Sequence, residues 1–356
     1  MKIIHTSDLH LASKLSTRLP SSKVAVRRRE LTESFFRMCR DGINTGASAM
    51  IIAGDLFDTE KATKKDLDTV LSIIERAEGM KFFYLPGNHE RNLVKASCET
   101  LPKNLFIFDD DWTYFDLENV TVAGRCKTTD DAFETLKLNP VQKNIVVLHG
   151  ELRDRTKEGG IIGLTDVANR NIDYLALGHY HTYSSGRIDK RGVYAYSGTP
   201  EGRGFDEIGE LGYSLIETSE NGISHQFIPF AKRKLLVIDV DISGALKTHE
   251  VEAKINDALI GIGEENIIRV NFIGERELEL RCDKIFLERK FSERFYYLEI
   301  KDSSKLSTRA EDYKYDRSLK GEFIRLCLDD RSLSDEEKEK IIHCGLSALA
   351  GEAFDE

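Results

Sequence analysis

The chain has 356 residues, 40% of them hydrophobic and 31% charged, with a formal net charge of -10 and a pI near 5.5. This length suits two domains, or one large domain with additions, and the composition excludes a disordered chain. No apolar run approaches the roughly 18 residues of a membrane span, and the acidic average argues against nucleic acid as a partner.

The N-terminus, MKIIHTSDLH, lacks the apolar stretch of a signal peptide. Ile3-Ile4-His5 reads as a first strand, and Ser22 to Asn44 as a helix with Leu31, Phe35 and Met38 at helical spacing. Lys14 to Arg40 holds eight basic residues against two acidic ones, a local reversal of the overall charge. A solvated helix face explains this stretch as well as phosphate contact does. Ala49 to Ala53 reads as a second strand, Lys65 to Ala77 as a second helix and Phe82 to Leu85 as a third strand. This βαβαβ order predicts a parallel sheet with right-handed crossovers.

Strands follow at Leu105–Phe108, Val120–Ala123, Ile145–Leu148, Tyr174–Leu177, Val193–Tyr196 and Tyr213–Ile216. Fewer helices separate them, which predicts mixed or antiparallel pairing and a sandwich of two sheets flanked by helices. From about Arg233 the texture changes. Strands at LLVIDVDI, IIRVNFIG and RFYYLEI with a helix from Glu250 to Leu259 predict a small α+β domain over 231–305, after a first domain over 1–230. Lys301 to Arg317 reads as a linker, and Leu319–Leu328 and Ser334–Leu349 as closing helices within 306–356. The six cysteines (Cys39, Cys98, Cys126, Cys282, Cys327, Cys344) form no CxxC pair, so a reducing, cytoplasmic setting is expected.

Five short motifs fall where predicted strands end: Asp8-Leu9-His10, Gly54-Asp55-Leu56-Phe57-Asp58, Gly87-Asn88-His89-Glu90, His149-Gly150 and Gly178-His179-Tyr180-His181. Ligands of open α/β sheets bind beyond the carboxyl ends of strands, where loops distant in sequence converge. Asp8, Asp55, Asn88, His10, His149, His179 and His181 together offer oxygen and imidazole donors without thiolate, a set suited to manganese, iron or zinc. In DxH and HxH, alternate residues reach one site if the backbone is extended. Asp55 is the candidate carboxylate to bridge two ions. Each motif alone is weak. The ordered series is strong, because five of the six histidines before His225 lie inside it.

The series resembles the calcineurin-like metallophosphoesterase superfamily, with DxH, GDxxD, GNHD/E, a later histidine and GHxH, over about residues 1–230. The opening KIIHTSDLHLASK with GDLFDT looks like the bacterial SbcD-type DNA-repair nuclease subunit. The resemblance implies an α/β fold: a metallophosphoesterase two-sheet β-sandwich flanked by helices, then a small α+β cap domain and C-terminal helices. It implies two divalent cations, manganese first, with iron, zinc or magnesium as alternatives. One cation would be held by Asp8, His10, Asp55 and His181, the other by Asp55, Asn88, His149 and His179. His89 would face the phosphate or donate the proton. Partners implied are DNA, an SbcC-type coiled-coil ATPase and a second copy of the chain.

Three further points stay open on sequence alone. Arg27, Arg28, Arg29 and Arg203 are candidate contacts to the DNA backbone or ordinary surface and loop residues. Asp58 either backs a metal ligand or is a structural loop acid. Glu90 stands where the family's nucleases usually have Asp, and GNHE also occurs in phosphatase branches. The expected activity is metal-dependent DNA exonuclease and endonuclease chemistry. The alternative is a phosphatase or nucleotide phosphodiesterase acting on small phosphoesters, and a non-catalytic scaffold ranks last.

Overall fold

The computed structural model describes residues 1–15, 19–58, 62–87, 90, 93–94, 100–127, 132–154, 161–277, 280, 282–306 and 315–349. It divides into two compact units, Met1–Leu235 and Leu236–Glu356.

In the first unit, β1 (Lys2–Thr6), α1 (Ser21–Asn44), β2 (Ala47–Ala53), α2 (Lys64–Arg76), β3 (Lys81–Leu85) and β4 (Leu105–Ile107) follow the expected βαβαβ order. β5 (Thr113–Leu117), β6 (Val120–Gly124), β7 (Lys143–His149), β8 (Leu152–Arg153), β9 (Ile162–Gly163), β10 (Tyr174–Gly178), β11 (Ser184–Arg187), β12 (Val193–Tyr196), β13 (Gly212–Ser219) and β14 (Gly222–Pro229) come next. Two six-stranded sheets result, in the orders β14-β13-β1-β2-β3-β4 and β11-β12-β10-β7-β6-β5. Both are mixed. β1 to β4 run parallel with β13 antiparallel beside β1, and β6, β7, β10 and β12 run parallel between antiparallel β5 and β11. The sequence reading passes over β5, β11 and β14. All three are sheet edges whose side chains, Leu117 of β5 apart, are exposed or half-buried, so they lack the apolar run that betrays the inner strands.

Period-two alternation sorts the core into layers. Ile3, Ala49, Ile51, Phe83 and Leu85 of the first sheet meet Val122, Ile145, Val147, Tyr174 and Ala176 of the second. Their neighbours Ile4, Met50, Ile52, Phe82 and Tyr84 point the other way, onto Leu31, Phe35 and Met38 of α1 and Leu67, Val70 and Ile74 of α2. The outer face of the second sheet packs Val146, Leu148, Leu175 and Leu177 on Phe133, Val167 and Ile172. Both faces of the central strands are therefore dry, and each fully buried Ile, Leu or Phe contributes roughly 1.5–3 kcal/mol. α2 begins at a capping box, where the Thr63 hydroxyl accepts the Asp66 N–H and the Asp66 carboxylate accepts the Thr63 N–H.

Strand register positions the motifs. Thr6 pairs with Ile52 and Ala53 with Leu85, so the loops after β1, β2 and β3 leave the first sheet at one level. His149 pairs with Gly178, which does the same for the second.

The second unit holds β15 (Leu235–Asp241), α3 (Thr248–Ala258), β16 (Ile267–Ile273), β17 (Glu275–Arg276), α4 (Lys284–Ser292), β18 (Tyr297–Asp302), β19 (Lys305–Leu306), α5 (Leu319–Asp329) and α6 (Asp335–Leu349). A three-stranded sheet, β15-β16-β18, buries Val240, Val270, Phe272 and Leu298 against Val251 and Ile255 of α3 and Leu287 and Phe291 of α4. The sequence reading missed α4, whose apolar stripe is short. The expected linker contains strand: β18 runs to Asp302, and β19 pairs with β17. α5 and α6 bury a separate small cluster of Ile324, Cys327, Ile342 and Leu346. Among the described residues, no helix is long and apolar enough to cross a membrane.

Candidate metal centre

The loops after β1, β2, β7 and β10 close on one another at the strand ends. Asp8 N–H donates to the Gly54 carbonyl at 3.1 Å and His10 N–H to the Asp55 carbonyl at 3.0 Å, tying the first two motifs together. His149 Nδ1 lies 2.9 Å from the Ala53 carbonyl, which ties the second sheet to the first. The His179 N–H donates to both oxygens of Asp8, at 3.0 and 3.2 Å. As a result, Asp8, His10 and His181 present ligand atoms within 4.8 Å of one another, and so do Asp8, Asp55 and His149.

Asp55 stands between the two groups. Its Oδ2 is 3.9 Å from His10 Nε2 and 3.6 Å from His149 Nε2, while its buried Oδ1 has no hydrogen-bond partner among the described residues. The His179 ring is exposed and stands edge-on to His149, with centroids 5.7 Å apart. Asn88 and His89 lie outside the described residues.

The backbone reason for convergence differs from the expected one. DLH and GHYH are not extended here: Asp8, His10, Asp55 and His179 have φ of 51°, 45°, 50° and 105°. Such left-handed conformations cost on the order of 1–3 kcal/mol each and persist where surrounding contacts over-determine them. Two glycines make the closeness sterically feasible. A Cβ on Gly54 would overlap the His149 ring, and one on Gly87 would overlap the Asp55 carboxylate.

The protonation pattern favours a cationic guest. His181 Nδ1 donates to Glu207 Oε1 at 2.7 Å, and His10 Nδ1 faces Asp58 Oδ1 at 3.3 Å. His149 Nδ1 faces a carbonyl, so it too carries its proton there. All three Nε2 atoms then aim their lone pairs inward, and those of His10 and His181 are only 3.2 Å apart. Two nitrogens that share a cation at about 2.0–2.1 Å each sit roughly 3 Å apart at an octahedral or tetrahedral angle. Converging lone pairs beside two buried carboxylates, one with an orphaned oxygen, fit divalent metal ions. The Glu207 hydrogen bond holds the His181 pKa above its ordinary value, against burial and with help from Asp8.

Glu207, which the sequence did not single out, helps to position this centre, as do Asp58 and Glu90. Burial alone would raise the Glu207 pKa, but its bonds to His181 and Arg203 outweigh that and hold it down at about 2. Asp58, left open above, faces His10, and that contact keeps its pKa low, aided by Arg203. Glu90 is buried. Its oxygens accept the Leu56 and Phe57 N–H groups at 2.7 and 2.6 Å and the Gly87 N–H at 3.3 Å, clamping the loop that carries Asp55. Burial pushes its pKa up to about 7. An acid at this position therefore has a backbone-binding role whichever ester is cleaved.

The candidate DNA-contacting arginines part company. Arg27 is 1% exposed and donates to Glu30 at 3.0 Å, Glu201 at 2.7 Å and the Gly202 carbonyl at 2.8 Å. It cannot reach a phosphate at the surface, which corrects that expectation. Its position is legible in hindsight, because Arg27 precedes Leu31 and Phe35 by four and eight residues and so shares their inward stripe. Arg28 and Arg29 are exposed, and Arg28 also donates to the Ser13 and Lys14 carbonyls, at 3.0 Å each. Arg203 is committed inside the centre, to Asp58 and Glu207.

A calcineurin-like phosphoesterase family model matches residues 1–183, just over half of the 356. The DNA double-strand break repair protein Mre11 of Methanosarcina acetivorans is 25% identical over 347 residues, 93% of this chain and 53% of that protein. The uncharacterized metallophosphoesterase YhaO of Bacillus subtilis is 24% identical over 244 residues, 64% of this chain and 60% of that protein. The chain thus spans about half the length of the first curated relatives it matches. Among solved structures, a dimetal phosphatase from Danio rerio aligns with a TM-score of 0.43 and 9% identity, over 63% of this chain and 95% of that one.

Proposed function

This chain belongs to the calcineurin-like phosphoesterase family, and we propose that within it the protein is a two-metal phosphodiesterase that cleaves DNA in repair. The observation that carries the reading is the convergence of Asp8, His10, Asp55, His149 and His181, with imidazole lone pairs and an unpartnered carboxylate oxygen turned toward one another. In this reading Asp8, His10, Asp55 and His181 hold one divalent cation. Asp55, Asn88, His149 and His179 hold the other, with manganese the first choice. Such a pair supplies a low-pKa water and charge stabilisation for an in-line displacement at phosphorus.

The chain's own groups do the rest. Asp8 and Asp55 bring negative charge that is buried and therefore fixed in place. His89, beside Asn88, hydrogen-bonds the scissile phosphate and protonates the leaving oxygen. DNA as substrate is supported by the similarity to proteins named for double-strand break repair and by exposed Arg28 and Arg29. The acidic average does not oppose this, because binding is decided by the local field. An SbcC-type coiled-coil ATPase and a second copy of the chain are the proposed partners. Leu319, Leu326, Ile341 and Leu349 leave exposed apolar surface on α5 and α6 that such a partner could cover.

The test is to incubate the purified chain with end-labelled duplex DNA, with bis-p-nitrophenyl phosphate and with p-nitrophenyl phosphate, each with manganese or with chelator. Manganese-dependent cleavage of DNA and of the diester is expected. Hydrolysis of the small diester with DNA left intact would remove the DNA reading, and preferred turnover of the monoester would favour a small-molecule phosphatase.

A further inference from the structure

Arg203 makes four hydrogen bonds to two carboxylates around the candidate centre, and its Nη2 also lies 3.4 Å from His181 Nδ1. Its N–H, Nε and Nη2 donate to Glu207 at 2.6, 3.1 and 2.7 Å, and Nη1 donates to Asp58 Oδ1 at 2.8 Å. Each of those carboxylates faces the Nδ1 of one site histidine: Glu207 faces His181 at 2.7 Å and Asp58 faces His10 at 3.3 Å. Five residues spread from position 10 to position 207 thus form one chain, His10–Asp58–Arg203–Glu207–His181. Its two ends return to each other at the facing Nε2 atoms, 3.2 Å apart.

We propose that Asp58, Arg203 and Glu207 form a positioning bridge that pre-orients one of the two cation sites and not the other. The proposal rests on the two-metal reading and adds an asymmetry to it. A planar guanidinium fixes the separation and the plane of the two carboxylates it joins, which a flexible ammonium does not. Glu207 sets the proton on Nδ1 of His181 by a hydrogen bond, and Asp58 faces Nδ1 of His10 by charge and proximity alone, so each ring meets a carboxylate on the side away from the converging Nε2 atoms. The Glu207 side chain is 1% exposed and that of Arg203 17%, so water competes little for the bonds between them, and more at the 28% exposed Asp58. His149 is held differently. Its Nδ1 uses the Ala53 carbonyl, a main-chain group of β2, and among the described residues no hydrogen bond or ion pair joins it to the bridge. Loss of the bridge therefore loosens the His10/His181 site and leaves the His149 site standing.

The test is manganese titration of metal-stripped protein, followed by calorimetry and by manganese paramagnetic resonance, for the full chain and for Arg203→Met, Arg203→Lys and Glu207→Gln. The unaltered chain is expected to bind two ions. Arg203→Met and Glu207→Gln should weaken one of them about 10–100-fold and leave the Kd of the other within about twofold. Arg203→Lys, which keeps the charge but loses the fork, should weaken the same ion by less. Turnover of bis-p-nitrophenyl phosphate should then need more manganese for half-activity and recover at saturation. Equal weakening of both ions, or of neither, in any variant that melts cooperatively in chelator overturns the proposal. Failure of the unaltered chain to bind two ions overturns the two-metal reading itself. If Arg203→Met does not fold, the lysine and glutamine variants decide the matter.

Discussion

Asp55 sits at φ 50° with one carboxylate oxygen unpartnered among the described residues, and Gly87 leaves the space that this oxygen occupies. Gly87→Ala should therefore displace the carboxylate rather than the glycine loop alone. The expected outcome is a fall in manganese affinity of at least roughly tenfold, with melting in chelator changed little. His89→Ala should lower turnover by about 10²–10⁴-fold, the usual range for a general acid, while both ions remain bound. Loss of an ion would mean that His89 is a ligand or holds one. A third residue-scale prediction concerns His5, which no motif claims. It is fully buried, with Nδ1 2.9 Å from the Tyr174 hydroxyl, and burial depresses its pKa from 6.5 to about 3. Between those values the unfolded chain takes up a proton that the folded chain refuses, so stability falls as pH drops through that window, by roughly 1 kcal/mol per pH unit. Urea melts in chelator at pH 7.5 and 4.5 should show this loss, and His5→Gln should flatten it. An unchanged slope in the variant would assign the acid sensitivity elsewhere.

At the scale of elements, α1 shows how one basic stretch serves two ends. Arg27, Arg37, Lys232 and Arg233 converge on Glu30 and Glu201, carboxylates that are nearly inaccessible, and so fasten α1 to the segments around residues 201 and 233. Their mutual attraction offsets a large desolvation cost, and removing one partner strands the other. Arg27→Ala should thus destabilise the fold by about 3–5 kcal/mol, whereas exposed Arg29→Ala should stay within about 0.5 kcal/mol. Thermal melts measure both. Arg28→Ala combined with Arg29→Ala should weaken binding to duplex ends and flatten its salt dependence, with diester turnover unchanged. Unaltered affinity would return these two residues to an ordinary solvated surface. Inner elements were legible because their apolar runs and helical spacing are long: β1, β2, β3, β7, β10, α1 and α2 all fall where their patterns predict. The edge strands β5, β11 and β14 and helix α4 were not, since much of each faces solvent and the pattern thins out.

On the scale of the whole molecule, Met1–Leu235 holds its layered cores, the candidate centre and both buried carboxylates of the α1 network within one unit. The fragment 1–235 should therefore fold alone, bind metal and hydrolyse bis-p-nitrophenyl phosphate at a rate within about threefold of the full chain, since the reacting groups and their supports are all present. Circular dichroism melts and the diester assay check this. A fragment that folds but loses diester turnover would show that the second unit contributes to the chemistry.

The sequence by itself marked chemically suited donors at predicted strand ends, and Asp8, His10, Asp55, His149 and His181 do gather there. Alternation and strand order are local properties, and the parallel crossover rule leaves few ways to arrange them. Only the tertiary structure decided what holds those ligands in place. Helical spacing betrays the inward position of Arg27 but not its partners, Glu207 reads like any loop acid, and Glu90 reads as a substitution. Each acquires its role from a partner tens to hundreds of residues away. Hydrogen bonds between distant loops leave no period in the sequence, because they depend on where chain segments meet and not on the spacing within any one of them.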